Sequence, residues 1–370
     1  MKLILKILKW AGIIIAGIFV LLFVFLEVAY WRSTNDCGQK TTSAASLMKA
    51  IVYCDYGSPG LQDVPKPVPN DDQILVKVRA ASVNPLDWHF LLGTPYVLRL
   101  GTGLRKPKDT HLGVDYAGTV EAVGKNVTRF KPGDEVFGGK NGAFAEYLRA
   151  LSDRAVTLKP ANLSFEQAAS VGIAGVTALQ GLRDIGHVRA GQKVLINGAS
   201  GGVGTFAVQL AKSFGAEVTG VCSTRNLEMV RRLGATHVID YTKEDFTKGS
   251  ERYDVILDCV GTQPLLGFKR VLTPRGICVL IGGGGPNEGR WIGPLSRPVK
   301  ALLLSPFISQ KFAMLMAELN QKDLVFLADL MRSGKVTPVI DRSYKLSEVP
   351  EAIEYLEKGH ARGKVVIDVD

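Results

Sequence analysis

The chain has 370 residues, 46% of them hydrophobic and 22% charged, which excludes a wholly disordered protein and allows two sizeable domains. The net charge is +10 without any run of five basic residues, which argues against nucleic-acid binding and favours a basic enzyme that attracts anionic phosphates. The cysteines show neither CxxC spacing nor a paired pattern, so we expect separate thiols in a reducing compartment: Cys37, Cys54, Cys222, Cys259 and Cys278.

An uncharged apolar stretch runs from Trp10 to Leu26. About 20 apolar residues span a bilayer as a helix, and aromatic residues at its ends, here Trp10, Tyr30 and Trp31, are typical of membrane interfaces. The sequence therefore predicts a transmembrane helix and a polar linker within residues 1–47. A cleaved signal peptide is the alternative.

Residues 48–165 are rich in short patterns that alternate apolar and polar side chains, such as residues 74–80 and 118–124. These patterns predict a twisted, mostly antiparallel β-barrel. The last part of the chain, residues 336–370, returns to short strands, and we expect it to complete this barrel.

From residue 166 to residue 335, helical stretches alternate with compact apolar strands. Such alternation predicts a parallel, doubly wound sheet in an α/β domain. The predicted strands are Lys193–Asn197, Glu217–Cys222, His237–Asp240, Tyr253–Asp258 and Ile277–Ile281.

A glycine-rich loop, Gly198-Ala-Ser-Gly-Gly-Val-Gly204, follows the first of these strands and leads into an amphipathic helix. In such a loop the backbone N–H groups close around a pyrophosphate, and the helix dipole favours the negative charge. A dinucleotide site is therefore predicted, with a tight structural turn as the alternative. The three glycine positions of the known fingerprint are occupied by Ala199, Gly201 and Gly204, so alanine replaces the first glycine. The other contact residues are Ser200, Gly202 and Val203.

The choice of cofactor is indicated about 20 residues further on, where NAD sites usually carry an acid for the ribose hydroxyls. The stretch Cys222-Ser-Thr-Arg-Asn226 contains none. Arg225 can pair with a 2′-phosphate and Ser223 can donate a further hydrogen bond, so the sequence predicts NADPH. A solvated cation at a helix start is the alternative for Arg225.

Several further stretches follow one known pattern: residues 80–87, 113–118, 130–136, 238–241, 351–356 and 363–367. Together with the glycine loop they cover nearly all of residues 48–370, which resemble the zinc-free, quinone oxidoreductase-like branch of the medium-chain dehydrogenase/reductase superfamily. The resemblance implies a GroES-like β-barrel domain (48–165, completed by 336–370) and a Rossmann domain (166–335), with the active site in the cleft between them. The predicted fold is thus α/β, with an added N-terminal transmembrane helix.

Zinc-dependent members of that superfamily bind a catalytic metal through a Cys, a His-Glu pair and a further Cys or Asp. Here Asn84 stands at the first ligand position, and Gly113-Val114-Asp115 replaces Gly-His-Glu. Zinc needs about four soft or borderline ligands, so we expect no metal. By resemblance, Asn84 lies near the nicotinamide and Asp87 follows on the same loop, and these two are the predicted catalytic residues. A turn role for Asn84 and a capping role for Asp87 are the alternatives.

The resemblance also implies that Thr177 contacts the cofactor, that Tyr241 lies near the 2′-phosphate and that Gly282 lies beside the nicotinamide carboxamide. Without a metal, hydride transfer is easier to an activated acceptor. The expected activity is therefore NADPH-dependent reduction of a quinone or an α,β-unsaturated carbonyl compound. An NADP-linked alcohol or aldehyde oxidoreductase and a non-catalytic NADPH-binding partner protein are the alternatives.

The expected partners are a small lipophilic carbonyl or quinone substrate and the membrane, with a homodimer implied by the resemblance. Lysines before the apolar stretch mildly favour a cytoplasmic N-terminus, but the predicted cofactor is cytosolic. We therefore expect a single-pass protein whose soluble part faces the cytoplasm. Residues 96–108 lie where a substrate-side loop is expected. The apolar residues 300–317 fit a pocket lining, a dimer interface or a second membrane contact.

Overall fold

The computed structural model describes residues 46–282 and 289–369, with part of the N-terminal region: residues 10, 17, 18, 20, 21, 24–35 and 37. Most of the predicted transmembrane helix lies outside these residues and stays a prediction. Within the described part, no helix is both long enough and apolar enough to cross a bilayer.

Strands make up two larger sheets and one small sheet. The strands of the described residues are β1 (Leu47–Tyr53), β2 (Pro59–Pro65), β3 (Gln73–Val83), β4 (Asp115–Val123), β5 (Glu135–Gly139), β6 (Tyr147–Leu151), β7 (Val156–Leu158), β8 (Lys193–Asn197), β9 (Glu217–Cys222), β10 (His237–Asp240), β11 (Tyr253–Asp258), β12 (Leu272–Leu280), β13 (Lys311–Met314), β14 (Ile340–Lys345) and β15 (Lys364–Asp368).

Helices connect these strands and cover the parallel sheet. From residue 46 onward the described α-helices are α1 (Pro85–Leu92), α2 (Arg99–Thr102), α3 (Phe165–Ala169), α4 (Gly172–Gln180), α5 (Gly202–Ser213), α6 (Leu227–Leu233), α7 (Leu265–Val271), α8 (Ser296–Leu304), α9 (Gln321–Arg332) and α10 (Val349–Glu357).

The first domain is built around β3, the longest strand. Its sheet has the order β14-β15-β3-β4-β5-β7, and β6 also pairs with β3. The pairs are antiparallel except β14 with β15. Ile74, Val76 and Val78 alternate along β3 into one buried core, as the sequence pattern predicts. Because β15 pairs with β3, the C-terminal strand lies beside the residues that lead to Asn84.

The second domain contains a parallel six-stranded sheet with the order β10-β9-β8-β11-β12-β13. Both of its faces are covered, since Val194 and Ile196 of β8 belong to one buried cluster and Leu195 between them to another. The doubly wound parallel sheet is therefore confirmed. Its strands end at one edge, where polar or glycine-rich segments follow β8, β9, β11 and β12.

The expectation that all five cysteines are free thiols is wrong for one pair. Cys37 and Cys54 form a disulfide, with their Cα atoms 5.5 Å apart. The side chain of Asn35 donates to the carbonyl of Cys54 at 2.7 Å, which holds the linker against the end of β1. A separation of 17 residues gives no sequence signal for such a pair. Disulfides are typical of oxidising compartments, so this one does not support the expected cytoplasmic orientation.

Candidate active site

The glycine loop connects β8 to α5 as predicted, and α5 begins at Gly202. No side chain caps the start of α5, so its first N–H groups face the loop without a side-chain acceptor. Position 204 requires glycine for a steric reason, because a Cβ there would lie 2.1 Å from the carbonyl oxygen of Gly198. An uncapped helix start beneath a tight glycine loop fits a pyrophosphate group.

The predicted adenosine end of the site lies where β9 ends. Asn226 donates to the hydroxyls of Ser200 (3.1 Å) and Ser223 (3.2 Å), which joins the glycine loop to the next strand end. Asn226 is only 4% exposed, and its Oδ1 has no hydrogen-bond partner among the described residues. A buried acceptor without a partner fits a hydroxyl donor such as that of a ribose. Sequence reasoning passed over Asn226 because it looked there for an acid and for donors to a 2′-phosphate, and assigned Arg225 and Ser223 to that role.

The residues predicted to face the 2′-phosphate lie at this end. Arg225 donates to the carbonyl of His360 at 2.6 Å, so it already bridges the two domains. Tyr241 is 55% exposed. One acid, Asp240, lies close to the end of β9, because it pairs in register with Cys222. Its carboxylate accepts hydrogen bonds from the Thr224 hydroxyl and from the Thr242 backbone and side chain, and the Thr224 bond leads in holding its pKa below the ordinary value.

Two further predicted contacts lie at helix and strand ends of the second domain. Thr177 is buried in α4, which packs against α5. Gly282 follows β12, and its N–H donates to the carbonyl of Asp258 at 3.0 Å, which places it beside the end of β11. Both residues therefore lie in the part of the domain that carries the glycine loop.

The two predicted catalytic residues stand at the start of α1. Asn84 is the N-cap residue, and its N–H donates to the Asp87 carboxylate at 2.7 Å. Both side chains are about 1% exposed. This bond gives Asp87 a capping role, which was the alternative considered for it. Its second oxygen, Oδ1, has no hydrogen-bond partner among the described residues.

A buried acid and a buried lysine complete the cluster, and sequence reasoning assigned neither a role. Lys364 donates to Oδ1 of Asn84 at 2.6 Å and lies 3.4 Å from Oδ2 of Asp115. Asn84 in turn donates to the same Asp115 oxygen at 2.9 Å and to the Ser82 carbonyl at 3.3 Å. The ammonium of Lys364 therefore lies between Asn84 and Asp115, two positions that the zinc comparison singled out.

Asp115 also ties this cluster to the second domain. Its Oδ1 accepts from the N–H of Ile173 at 2.8 Å, in the first turn of α4. A Cβ on the preceding residue, Gly172, would lie 2.2 Å from that oxygen. The close approach of α4 to β4 therefore depends on glycine at this position.

Burial dominates the electrostatics of the cluster. Burial raises the pKa of the Asp87 carboxyl to about 7; the hydrogen bond from Asn84 opposes this rise, and the nearby Asp115 adds to it. Burial also lowers the pKa of the Lys364 ammonium, against the attraction of Asp115 and Asp87. A carboxyl group that titrates near neutral pH thus lies beside a lysine and a second acid.

The cluster and the glycine loop are in contact. The N–H of Gly363 donates to the carbonyl of Ser200 at 2.9 Å, and the side chain of the next residue, Lys364, lies against Gly202. The structure thus brings the predicted catalytic pair of one domain to the predicted phosphate loop of the other. Arg225 and Tyr241 belong to the adenosine end, which follows β9 and β10.

The donor set does not resemble a zinc site. Within the described part of the chain, no group of three or more His, Cys, Asp or Glu residues could hold a metal ion. His89, the histidine nearest in sequence to the cluster, forms its Nδ1 hydrogen bond with the Thr94 carbonyl at 2.7 Å. Burial lowers the pKa of His89, as expected for a packing histidine.

The chain is similar to known proteins over most of its length. Residues 70–161 match the family described as alcohol dehydrogenase GroES-like domain, and residues 233–367 match the family described as zinc-binding dehydrogenase. A 2-methylene-furan-3-one reductase of Solanum lycopersicum is 36% identical over 356 residues, which cover 90% of this chain and 83% of that protein.

Two further relatives extend the comparison. An NADPH-dependent alkenal/one oxidoreductase of Arabidopsis thaliana chloroplasts is 33% identical, over 93% of this chain and 86% of the relative. The solved structure of a quinone oxidoreductase from Coxiella burnetii superposes with a TM-score of 0.74 and 34% identity, over 88% of this chain and 100% of that one.

Proposed function

Because the chain belongs to the zinc-free, quinone oxidoreductase-like branch of the medium-chain dehydrogenase/reductase superfamily, we propose that it transfers hydride from NADPH to a quinone or an α,β-unsaturated carbonyl compound. That it is an oxidoreductase dependent on a nicotinamide cofactor follows from the family. The phosphorylated form of the cofactor and the acceptor are our proposal. The observation that supports it most is the contact between the uncapped glycine loop and the buried Asn84 cluster.

The residues that would hold NADPH come from the second domain. The backbone of residues 199–204 would bind the pyrophosphate, and the hydroxyls of Ser200 and Ser223 with Oδ1 of Asn226 are available to the adenosine ribose. Arg225 supplies positive charge for a 2′-phosphate. When bound, the nicotinamide supplies the hydride. Asp240 lies nearby, but its carboxylate is engaged by Thr224 and Thr242.

The first domain contributes a water-excluding cluster with a proton source. Burial raises the pKa of Asp87 to about 7, so part of this carboxyl group is protonated at neutral pH and can supply a proton as negative charge develops on the acceptor oxygen. Lys364 and Asn84 hold this cluster in place through their mutual hydrogen bond. Both amino hydrogens of Asn84 are used within the protein, which favours a positioning role for this residue.

A panel of acceptors tests the proposed activity. The purified full chain is mixed with NADPH or NADH and, in separate reactions, with quinones, enones, aldehydes or ketones, and cofactor oxidation is followed by absorbance. Turnover with quinones or enones, and a preference for NADPH over NADH, is the expected result. Turnover confined to aldehydes or ketones would establish the NADP-linked alcohol or aldehyde oxidoreductase instead. Tight NADPH binding without any turnover would identify a binding protein.

The N-terminal apolar segment is proposed to hold the enzyme at a membrane. Its described residues include Phe25, Val28 and Trp31, each exposed by 45% or more, which is costly in water for so apolar a segment. Removal of residues 1–31, which keeps Cys37, should release an active protein into the soluble fraction. A truncated protein that still sediments with membranes would contradict a single N-terminal attachment.

A further inference from the structure

The chain that follows the apolar segment is fixed to the folded body. Ser33 Oγ accepts hydrogen bonds from the N–H groups of Arg105 and Lys106, each at 3.3 Å, and donates to the Lys106 carbonyl at 3.2 Å. Asn35 and the Cys37 disulfide add contacts to the end of β1. These contacts fix the side of the folded body at which the described helical residues 24–31 end.

That side is formed by residues 96–108. The stretch contains four basic residues and no acid. Arg105 lies over the Trp31 ring, 5.2 Å from its centroid, and Trp31 itself is 63% exposed. Leu100 in α2 is 61% exposed. Basic groups beside exposed apolar and aromatic side chains are typical of segments that lie on an anionic lipid surface.

The same stretch meets the second domain at its other end. The N–H of Tyr96 donates to the Arg290 carbonyl at 2.7 Å, and the N–H of Val97 donates to the Trp291 carbonyl at 3.2 Å. The rings of Tyr96 and Trp291 pack edge to face with centroids 5.6 Å apart. Trp291 is nevertheless 76% exposed and Ile292 is 50% exposed. We call the surface formed by Trp31, Leu100, Arg105, Trp291 and Ile292 the entry face.

In sequence, the entry face follows the candidate active site at short intervals in both domains. Asn84 starts α1, whose eight residues span about 12 Å, and Tyr96 follows four residues after its end. From the other domain, Gly282 ends the strand edge of the site, and Arg290 lies eight residues further on. The contact between Tyr96 and Trp291 therefore joins the segment that follows α1 to the segment that follows the strand edge of the second domain.

We propose that the entry face rests on an anionic lipid bilayer, so that a lipophilic acceptor reaches the active site from the lipid phase. This inference rests on the proposed function only for the chemical class of the acceptor. The indole rings of Trp31 and Trp291 suit the headgroup region, where one edge meets water and the other meets lipid. The surface is continuous with the N-terminal apolar segment, so both would meet the same bilayer.

A second copy of the chain fits this surface less well. In a two-fold symmetric dimer the same patch faces itself, so Arg105 and its basic neighbours would meet like charges. Residues 289–300, which contribute Trp291 and Ile292, carry the exposed basic residues Arg290 and Lys300 and no acid, whereas their third cation, Arg297, already pairs with Asp258. An anionic lipid surface compensates these charges.

Tryptophan fluorescence tests the placement, because Trp88 is a built-in control that is 7% exposed in the first core. The full chain carrying Trp10→Phe and Trp31→Phe keeps Trp88 and Trp291 as its tryptophans. It is bound to phosphatidylcholine–phosphatidylserine vesicles with brominated acyl chains, beside a protein that also carries Trp291→Phe. We expect quenching in the first protein and none in the second. Vesicle binding without quenching of Trp291 would overturn the proposal.

Acrylamide quenching in detergent, without vesicles, tests the competing occupant. Trp291 should be freely quenched, as its exposure implies. Protection of Trp291 from acrylamide, in a protein that sediments as a dimer, would mean that a second copy covers the entry face and would overturn the lipid assignment.

Kinetics separates delivery of the acceptor from chemistry. Leu100→Asp places a negative charge on the entry face, whereas Val68→Asp places one at a residue that is 77% exposed between β2 and β3. With an acceptor dissolved in anionic vesicles, Leu100→Asp should raise KM at least about tenfold and Val68→Asp should not. With a water-soluble acceptor, Val68→Asp should match the unsubstituted protein, and the rise in KM caused by Leu100→Asp should be smaller than with the vesicle acceptor. Equal KM values for the vesicle acceptor would overturn the proposal, whereas absence of turnover with every acceptor would overturn the proposed function instead.

Discussion

Lys364 donates a hydrogen bond to Oδ1 of Asn84 over 2.6 Å and so joins two residues that are 280 positions apart. Because an ammonium group can only donate, this bond fixes which end of the Asn84 amide carries oxygen. The amino group must then point to Asp115 and to the Ser82 carbonyl. A lysine on the last strand therefore sets the orientation of the residue that starts α1.

Removal of this lysine should cost stability. Lys364→Met leaves Asp115 charged and without its buried cation, and we expect the free energy of unfolding to fall by about 3–5 kcal/mol. Lys358→Met is the matched control, since Lys358 pairs with Glu354 on the surface and its side chain is 62% exposed. Thermal unfolding of both variants checks this. Equal midpoints for the two variants would mean that the buried pair contributes nothing.

Stability should depend on pH through Asp87. Its pKa rises from 3.8 to about 7 on folding, so the unfolded chain loses this proton first as pH increases. The contribution of Asp87 to the free energy of unfolding therefore falls between about pH 4 and 7 and is constant above that window. Asp87→Asn, which can still accept from the Asn84 N–H, should remove this part of the pH dependence.

Urea unfolding at a series of pH values measures the Asp87 effect. Asp329→Asn is the control, because that carboxylate is 61% exposed at the end of α9. Parallel pH profiles for Asp87→Asn and the unsubstituted protein would contradict the raised pKa. If the free energy of unfolding lost the same pH dependence in Asp329→Asn, the effect would come from the change in net charge and not from the pKa of Asp87.

Two glycines of one loop should respond differently to alanine. Gly204→Ala puts a Cβ 2.1 Å from a backbone oxygen, and overpacking of this kind costs about 1–3 kcal/mol. Gly201→Ala meets that same oxygen at 3.5 Å, an ordinary contact, and should leave the unfolding midpoint unchanged. Both should weaken NADPH binding, which fluorescence titration measures. An unchanged midpoint for Gly204→Ala would be inconsistent with the packing described here.

Cofactor preference should change with the charge at the end of β9. Ser223→Asp places a carboxylate where we propose the 2′-phosphate, and Arg225→Ala removes the facing cation. Charge-assisted hydrogen bonds contribute about 1.5–3 kcal/mol, so each variant should lower the NADPH-to-NADH ratio of kcat/KM by about 10- to 100-fold. Arg232→Ala, whose side chain is 77% exposed in α6, should leave this ratio unchanged. If the NADPH-to-NADH ratio of kcat/KM in all three variants equalled that of the unsubstituted protein, the 2′-phosphate would bind elsewhere.

Local features of the site could be predicted from the sequence. The strand at Lys193–Asn197, the glycine loop and the following helix are adjacent in the chain, so their spacing carries the information. Alternation in β3 likewise identified its buried residues. The helix itself starts within the glycine loop, at Gly202, because the last loop residues already adopt its first turn.

Contacts between distant segments could not be predicted. Asp115 and Lys364 are 249 positions apart, and each alone resembles an ordinary charged residue of a strand. The Asn226 side chain is joined to the glycine loop by its hydrogen bond to Ser200, which precedes it by 26 positions. The Cys37–Cys54 disulfide and the hydrogen bond from Asn35 to Cys54 join the linker to the end of β1, and no periodicity links these two segments.

The position of β15 has a consequence for synthesis of the protein. Domains fold as units while the chain emerges from the ribosome, N-terminal parts first. The first domain, however, needs β15 beside β3, and Asp115 and Asn84 need Lys364. The second domain is translated in between and can fold before them. Nascent enzyme therefore carries an open, uncompensated acid until Lys364 has left the ribosome, and the buried cluster can close only after that.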